Sequence, residues 1–186
     1  MCQNTHERIE STLLILQHRL KDKPECPAIV VIRDYGKLPK VECYPGQLNQ
    51  VLMNVLANAI DALDEINANR TVQKIEANPS QISIRTSMSN LQAVEIALAK
   101  PAVREASRRE GIADNAGGMP EHVKNRIFNP FFTTKPVGKG TGMGMAISYQ
   151  IITQKHGGKL ECFSTLGEGS EFIIQLPTQQ QVSTAV

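Results

Sequence analysis

Apolar residues recur every three or four positions along three stretches of the chain, which is the spacing of an amphipathic helix. The first stretch covers residues 5–21 and the second covers residues 47–66. The third begins within KGTGMGMAISYQ (139–150) and runs to Gly157-Gly158, a pair typical of a helix C-terminus. All three stretches are therefore predicted to be helices.

Stretches of β-branched or alternating apolar residues separate these helices and predict strands. The run AIVVIRDY (28–35) is predicted to be a buried strand, and alternation near 82–88 and 91–98 predicts two more. Residues 159–164 and 170–176 are predicted to pair as a hairpin. This mixture indicates the α+β class, as a two-layer α/β sandwich with a mixed, mostly antiparallel sheet and helices on one face.

The composition of the chain excludes several classes of function. A net charge of +2 over 186 residues is too small to indicate nucleic-acid binding. No run of 18 apolar residues is present to span a membrane, and the N-terminus lacks an apolar signal core. The four cysteines are far apart, which favours reduced thiols over a metal site. We expect a cytoplasmic domain without membrane contact, whose parent protein can still be membrane-anchored.

The second predicted helix is apolar except along one stripe. Its polar residues fall three or four positions apart and share one face: Gln47, Gln50, Asn54, Asn58, Asp61 and Glu65. One interpretation is a solvated face, although such faces usually carry lysine and glutamate, which suit helices better than asparagine. The alternative is the wall of a polar pocket, where the amide oxygens of Asn54 and Asn58 hold Mg²⁺. Two neutral amides hold Mg²⁺ poorly, so a bound ligand would have to supply negative charge.

A glycine turn lies in IADNAGGMP (112–120), where Asp114 follows an apolar stretch. A carboxylate on a pocket floor can accept a hydrogen bond from an exocyclic amine such as that of adenine. Gly117 and Gly118 permit a positive φ and close approach of another group. The alternative is an ordinary Asx turn before a short helix, which is predicted over residues 120–128.

A second glycine-rich segment precedes the third predicted helix. Its glycines are Gly140, Gly142 and Gly144. Exposed backbone N–H groups at the positive end of a helix form an anion site, which is one interpretation of this segment. The alternative interpretation is a flexible linker. We call residues 129–141 the lid loop. Its Lys135 and Lys139 can reach the phosphates of a bound nucleotide, and the alternative interpretation is an ordinary surface loop. Taken in order, the segments predict a nucleotide site with a hinged lid.

Five motifs resemble those of the ATP-binding catalytic domain of bacterial sensor histidine kinases, in the superfamily of gyrase, Hsp90 and MutL. They are the N box NVLANAIDAL (54–63), the first glycine box DNAGGMP (114–120), the F box IFNPFFTTK (127–135), the second glycine box GTGMGMA (140–146) and the closing element GEGSEF (167–172). The resemblance covers residues 41–177. NAIDA and PFFTTK are most similar to the nitrogen-sensor type of kinase.

The resemblance implies a Bergerat ATP-binding fold and a site for ATP with Mg²⁺. In that site Asn58 coordinates the metal, Asn54 assists, and Asp114 receives the adenine amine. The other residues implied to bind nucleotide are Gly118, Met119, Phe128, Lys135, Lys139, Gly140, Thr141, Gly142, Met143, Gly144 and Ser170. The residues implied to hold the lid loop in place are Phe128, Phe131 and Phe132.

The resemblance also implies a reaction. Members that hydrolyse ATP carry a glutamate general base where this chain has Asn54, and an amide does not accept a proton at neutral pH. We therefore expect slow hydrolysis and transfer of the γ-phosphoryl group to a histidine. That histidine would lie on a phosphoacceptor helical domain of the same parent protein, upstream of a response regulator. The alternative is a degenerate nucleotide-binding or protein-docking module without kinase activity.

Three features depart from the family pattern. Residues 98–111 look inserted, and they are interpreted as a neutral excursion, a docking element or a disturbance of the adenine end. Ala116 stands where the family usually has glycine, and His6 lacks the context of a phosphoacceptor. The expected division is 1–24 as a linker helix from an absent dimerisation domain, 25–177 as the ATP-binding domain and 178–186 as a disordered tail.

Overall fold

Helices and strands alternate along the chain in the computed structural model, which describes residues 2–22, 26–90, 93–99, 117–136, 138 and 140–179. The helices are α1 (Thr5–Leu20), α2 (Pro45–Asn67), α3 (Val72–Ala77), α4 (Glu121–Lys124) and α5 (Gly144–Gln150), which a π-helix (Ile151–Lys155) continues. The strands are β1 (Cys2–Gln3), β2 (Val30–Tyr35), β3 (Val41–Glu42), β4 (Gln81–Asn90), β5 (Ala93–Ala99), β6 (Lys159–Thr165) and β7 (Gly169–Pro177).

Five of the strands form one sheet in the order β2-β4-β5-β7-β6. Only β2 and β4 run parallel, whereas the other three neighbouring pairs are antiparallel. The short strands β1 and β3 pair separately. The predicted mixed, mostly antiparallel sheet is confirmed.

The core lies between one face of this sheet and the helices α1, α2 and α5. Alternate residues of β4, β5 and β7 point into it, including Ile84, Ile96 and Ile174, all with 0% exposure. Leu52 and Leu56 of α2 are equally buried on the opposite side. Burying one such side chain contributes about 1.5–3 kcal/mol, so α2 is fixed firmly over the sheet by its apolar face. Its polar face is consequently presented to α5 and to the lid loop.

Strand β2 is not buried, which corrects the prediction made from its apolar run. Val30 and Ile32 are 43% and 37% exposed because β2 is an edge strand of the sheet. Val31 and Tyr35 point the other way and pack against the core. The hydroxyl of Tyr35 donates to Glu10 of α1 at 2.8 Å, which ties this edge to the first helix.

Two further elements differ from the predicted ones. The helix expected over 120–128 is only one turn long as α4, and isolated turns follow up to Asn129. Pro130 disfavours helical backbone only at Asn129, so it does not account for the end of α4 at Lys124. The helix α3 was not predicted, although Thr71 caps it by accepting from the backbone N–H of Lys74.

A buried histidine joins the start of α2 to the end of the π-helix. His156 is 2% exposed, and its Nε2 accepts the backbone N–H of Tyr44 at 3.1 Å. Its Nδ1 lies 2.9 Å from the carbonyl oxygen of Ile151 and therefore carries the proton. Both ring nitrogens of His156 are thus used by the backbone.

The ends of the expected domains are only partly covered. Most of the 98–111 insertion and residues 180–186 lie outside the described residues. Beyond β7, the carbonyl of Thr178 accepts the N–H of Glu42 at 3.0 Å. Among the helices described here, none is both long and apolar enough to cross a membrane.

Candidate nucleotide site

Asn54 fastens the polar face of α2 to the first turn of α5. Its Nδ2 donates to the carbonyl oxygen of Gly144 at 3.0 Å and to the hydroxyl of Ser148 at 3.1 Å. Ser148 in turn donates to the Gly144 carbonyl at 2.8 Å. The amide therefore fixes where the glycine-rich segment enters its helix. Ser148 was not expected to contribute, because nothing in the motif itself marks it.

Asn58 lies one turn further along α2 and faces the lid loop. Its Oδ1 accepts a hydrogen bond from the ammonium group of Lys135 at 3.2 Å, and the same ammonium forms a short ion pair with Asp61. An amide oxygen and a carboxylate thus converge on one cation. Oxygen donors of this kind suit a hard cation such as Mg²⁺. At these positions the stripe contacts a side chain of the lid loop, and its role as the wall of a nucleotide pocket stays a prediction.

Asp61 also binds a second cation, from α1. Arg19 donates through Nη2 to Oδ1 of Asp61 at 2.5 Å and to Oδ2 of Asp64 at 3.0 Å. Burial raises the pKa of the Asp61 carboxyl, but the hydrogen bonds and charges of Lys135 and Arg19 outweigh it and hold that pKa below its usual value. Asp61 is therefore a carboxylate at neutral pH. Its role was missed at the level of sequence, where it was only one member of the polar stripe.

The first glycine turn packs against the β6–β7 hairpin. Gly118 has a φ of +66°, and a Cβ there would lie 2.0 Å from the carbonyl oxygen of Thr165, so only glycine fits. The N–H of Met119 donates to the hydroxyl of Ser164 at 2.7 Å, and that hydroxyl lies 2.9 Å from the hydroxyl of Ser170. The structure thus brings Gly118, Met119 and Ser170 together, as the motif pattern suggested. Ser164, which links them, was not predicted.

The second glycine segment lies against the lid loop. Gly142 has a φ of +66°, and an added Cβ would lie 2.4 Å from the carbonyl carbon of Phe131. A Cβ on Gly140 would lie 2.7 Å from the hydroxyl of Thr133. Further along, the N–H of Met143 faces the hydroxyl of Thr141 at 3.4 Å, just before α5 begins at Gly144. Gly140 and Gly142 thus allow close packing of two loops, and the anion site expected at the start of α5 stays a prediction.

Two of the three aromatic residues expected to hold the lid loop, Phe128 and Phe132, are held in place by ring contacts. The rings of Phe128 and Tyr149 lie 5.2 Å apart, and the guanidinium of Arg126 lies 4.6 Å from the ring centre of Phe132. Phe131 does not hold the loop, contrary to expectation, because its side chain is 76% exposed. Its φ of +63° turns the side chain outward while its backbone meets Gly142.

Several predicted positions cannot be placed. Asp114, Ala116 and Lys139 lie outside the described residues, as does the greater part of the 98–111 insertion. Their roles remain predictions. A separate groove of about 860 Å³ lies between α1 and β2, but its lining includes no residue of the five motifs. The groove is therefore a different feature from the candidate nucleotide site.

Comparison with known proteins decides the family. Residues 43–180 match the family described as histidine kinase-, DNA gyrase B- and HSP90-like ATPase. This chain belongs to that family. The family domain is an ATP-binding fold, and its match spans all five motifs together with α2 and the strands β4 to β7.

Relatives of this ATPase-family chain are sensor kinases. The chain is 38% identical over 149 residues to the sensor kinase CckA of Brucella abortus, covering 77% of this chain and 14% of CckA. It is 29% identical over 179 residues to the sensory histidine kinase/phosphatase NtrB of Salmonella typhimurium, covering 96% of this chain and 44% of NtrB. The chain therefore spans less than half the length of these curated relatives.

A solved structure supports the same fold. The catalytic domain of histidine kinase ThkA, in a nucleotide-free form, superposes with a TM-score of 0.67. The alignment covers 94% of this chain and 95% of that domain at 24% identity. The predicted α/β sandwich of the histidine kinase ATP-binding domain is thereby confirmed.

Proposed function

We propose that this chain is the ATP-binding catalytic domain of a sensor histidine kinase, and that it delivers the γ-phosphoryl group of ATP to a histidine on a separate domain. One observation carries the proposal. The metal-binding asparagine of the family pattern, Asn58, faces the lid lysine Lys135 across 3.2 Å. At the same time Asn54 fixes the glycine segment of α5 at 3.0 Å. Three motifs that are distant in sequence thus converge on one place.

The residues present fit ATP with Mg²⁺. Asn58 and Asp61 already hold a cation with oxygen atoms, so Asn58 would hold the metal ion and Asp61 would add charge beside it. Bound Mg²⁺ supplies charge neutralisation for the phosphates. Lys135 and the N–H groups from Gly142 to Gly144 would bind phosphate oxygens. Gly118, Met119 and Ser170 would line the adenine end, with Asp114 accepting the amine.

Asn54 favours transfer over hydrolysis. A general base must accept a proton, and the amide of Asn54 does not do so at neutral pH. Its Nδ2 is also engaged as a donor to Gly144 and Ser148. Catalysis would then rest on positioning and charge neutralisation, as in other phosphoryl transfers.

The phosphoacceptor is placed on another domain. His6 is stacked on Tyr35 with ring centres 4.6 Å apart, and its Nε2 lies 2.9 Å from the hydroxyl of Thr86. These contacts support a packing role for His6 between α1 and β4 and favour a phosphoacceptor elsewhere. In this proposal α1 links to a phosphoacceptor helical domain of the parent protein, a response regulator receives the phosphoryl group downstream, and the domain works in the cytoplasm.

Calorimetric titration tests the binding step directly. ADP and adenylyl imidodiphosphate are titrated into the full chain with Mg²⁺ and with EDTA, and we expect binding that weakens in EDTA. Asn58→Ala should remove most of the Mg²⁺ effect, while Asn69→Ala on the exposed end of the same region serves as the matched control. No binding of either nucleotide would contradict the proposal and favour a docking module.

The reaction step needs a second assay. With γ-labelled ATP, the chain alone should release phosphate slowly and should not label itself. Label should appear on a phosphoacceptor helical domain of an NtrB-type kinase supplied in trans. Rapid phosphate release without label transfer would instead indicate an ATPase.

A further inference from the structure

The ammonium group of Lys135 occupies the oxygen pair of Asn58 and Asp61, where the proposed function needs a metal ion. It donates to Asn58 Oδ1 at 3.2 Å and pairs closely with Asp61 Oδ2. The ammonium group of a lysine is a point charge on a flexible side chain. Lys135 belongs to the lid loop and not to α2. The loop is thus attached to the wall of the site by a cation that sits on the N-box oxygens proposed to face the metal.

Asp61 is held from its other side by the first helix. Arg19 donates to its Oδ1 at 2.5 Å and also reaches Asp64 at 3.0 Å. The side chains of Lys135 and Asp61 are each 35% exposed, and that of Arg19 is 26% exposed, so the group is partly shielded from solvent. The carboxylate of Asp61 therefore keeps its position whether or not Lys135 remains bound to it.

The charge balance of this group changes when Lys135 leaves. The carboxylate of Asp61 is paired with two cations, Arg19 and Lys135. Departure of the lysine takes one positive charge away from this carboxylate and from the amide oxygen of Asn58. The local potential then becomes more negative, which repels the phosphates of a metal-free nucleotide and attracts a divalent cation.

We propose that Asp61 is a positioning residue that holds Lys135 on the site wall in the nucleotide-free protein and exchanges it for the cation of a metal-bound nucleotide. The inference rests on the proposed ATP site. Lys135 is thereby released to the phosphates only when a replacement cation arrives with them. Arg19 keeps the exchanging carboxylate oriented, so α1 contacts the residue on which the exchange depends.

The affinity test compares Asp61→Asn with Asp64→Asn, which alters the other carboxylate on Arg19 but not the contact to Lys135. Adenylyl imidodiphosphate is titrated by calorimetry in Mg²⁺ and in EDTA, and the ratio of the two dissociation constants is the readout. In Asp61→Asn the ratio should shrink about fivefold or more, the value of one partly exposed charge pair. Asp64→Asn, which removes a charge of the same group but keeps the contact between Asp61 and Lys135, should change the ratio by less than Asp61→Asn does.

An unchanged ratio in Asp61→Asn, or an equal change in both variants, would overturn the proposal. If Asp61→Asn loses affinity by the same factor in Mg²⁺ and in EDTA, the ratio is also unchanged, and that result counts against the proposal. Thermal denaturation of each variant verifies that it is folded.

A second measurement needs no nucleotide and so separates this proposal from the proposed function. Backbone hydrogen exchange of residues 129–136 should be about threefold or more faster in Asp61→Asn than in the wild type, because the loop opens more often. The exchange rate in Asp64→Asn should equal that of the wild type. Lys135→Gln removes the other partner of the same ion pair, so its exchange rate should equal that of Asp61→Asn. Absence of nucleotide binding in the wild type would refute the ATP site. Unchanged exchange in both Asp61→Asn and Lys135→Gln would refute the role of Asp61.

Discussion

Substitution of Gly118 by alanine should disrupt both the fold and the adenine end of the site. The Cβ of the new residue would lie 2.0 Å from the carbonyl oxygen of Thr165, and 3.0 Å from that of Gly169. Ordinary contact begins at 3.4 Å, so the Thr165 carbonyl would have to move by 1.4 Å. Backbone atoms of a hairpin cannot yield by that distance without breaking the Gly167 N–H to Gly117 carbonyl hydrogen bond nearby.

The loss of folding free energy in Gly118→Ala has two parts. An alanine in the left-handed region costs about 1–2 kcal/mol. Forcing the hairpin apart adds roughly 1–3 kcal/mol, the usual cost of overpacking. Gly167→Ala is the matched control, because Gly167 has a φ of +83° but no atom within 4 Å of its added Cβ. The difference between the two variants therefore isolates the steric part.

Urea denaturation and thermal melting measure this difference. We expect Gly118→Ala to melt about 2–12 °C below Gly167→Ala, from the steric part of roughly 1–3 kcal/mol and about 2–4 °C per kcal/mol for a domain of this size. ADP affinity should fall in Gly118→Ala and remain near wild type in Gly167→Ala. Equal free energies of unfolding for the two variants would refute the close approach of Gly118 to Thr165.

Three further predictions concern single side chains. Asn54→Asp removes both Nδ2 donations and places a charge by the Gly144 carbonyl, so denaturation should show a loss of about 2–4 kcal/mol and calorimetry weaker nucleotide binding. His156→Ala leaves the Tyr44 N–H and Ile151 carbonyl without their partner, and thermal melting should show a loss of about 3 kcal/mol. Burial lowers the pKa of His6 more than Glu10 raises it, so the unfolded chain takes up the proton first. The free energy of unfolding should then fall as the pH drops below 6.5, and His6→Gln should flatten that dependence.

The helix α2 shows how much of this molecule can be derived from sequence. Its apolar repeat predicted the helix, and its polar stripe marked the face that contacts α5 and the lid loop, because a helix has a fixed period that local pattern reveals. The contacts of Asp61 could not be derived in this way. Its partners Arg19 and Lys135 are 42 and 74 residues away along the chain, and no local sequence pattern predicts contacts across such separations.

Two of the wrong predictions concern side-chain exposure. An apolar run looks alike in a central strand and in an edge strand, and only the sheet order places β2 at an edge. The family pattern implied that Phe131 holds the lid loop, but its backbone has a φ of +63° and packs against Gly142, while its side chain is exposed. Both outcomes depend on residues distant in the chain, which a local pattern does not reveal.

One face of α2 connects the parts of the molecule that nucleotide binding would move. Asn54 contacts α5, Asn58 contacts the lid loop, Asp61 contacts both the lid loop and α1, and Asp64 contacts α1 again. These four positions are spaced by four, three and three residues, so they follow one side of a helix whose other side is fixed in the core. The apolar side of α2 is buried in the core, so these polar contacts all rest on one fixed element. Arg19 and Lys135 meet on the single carboxylate of Asp61, which therefore joins α1 directly to the lid loop.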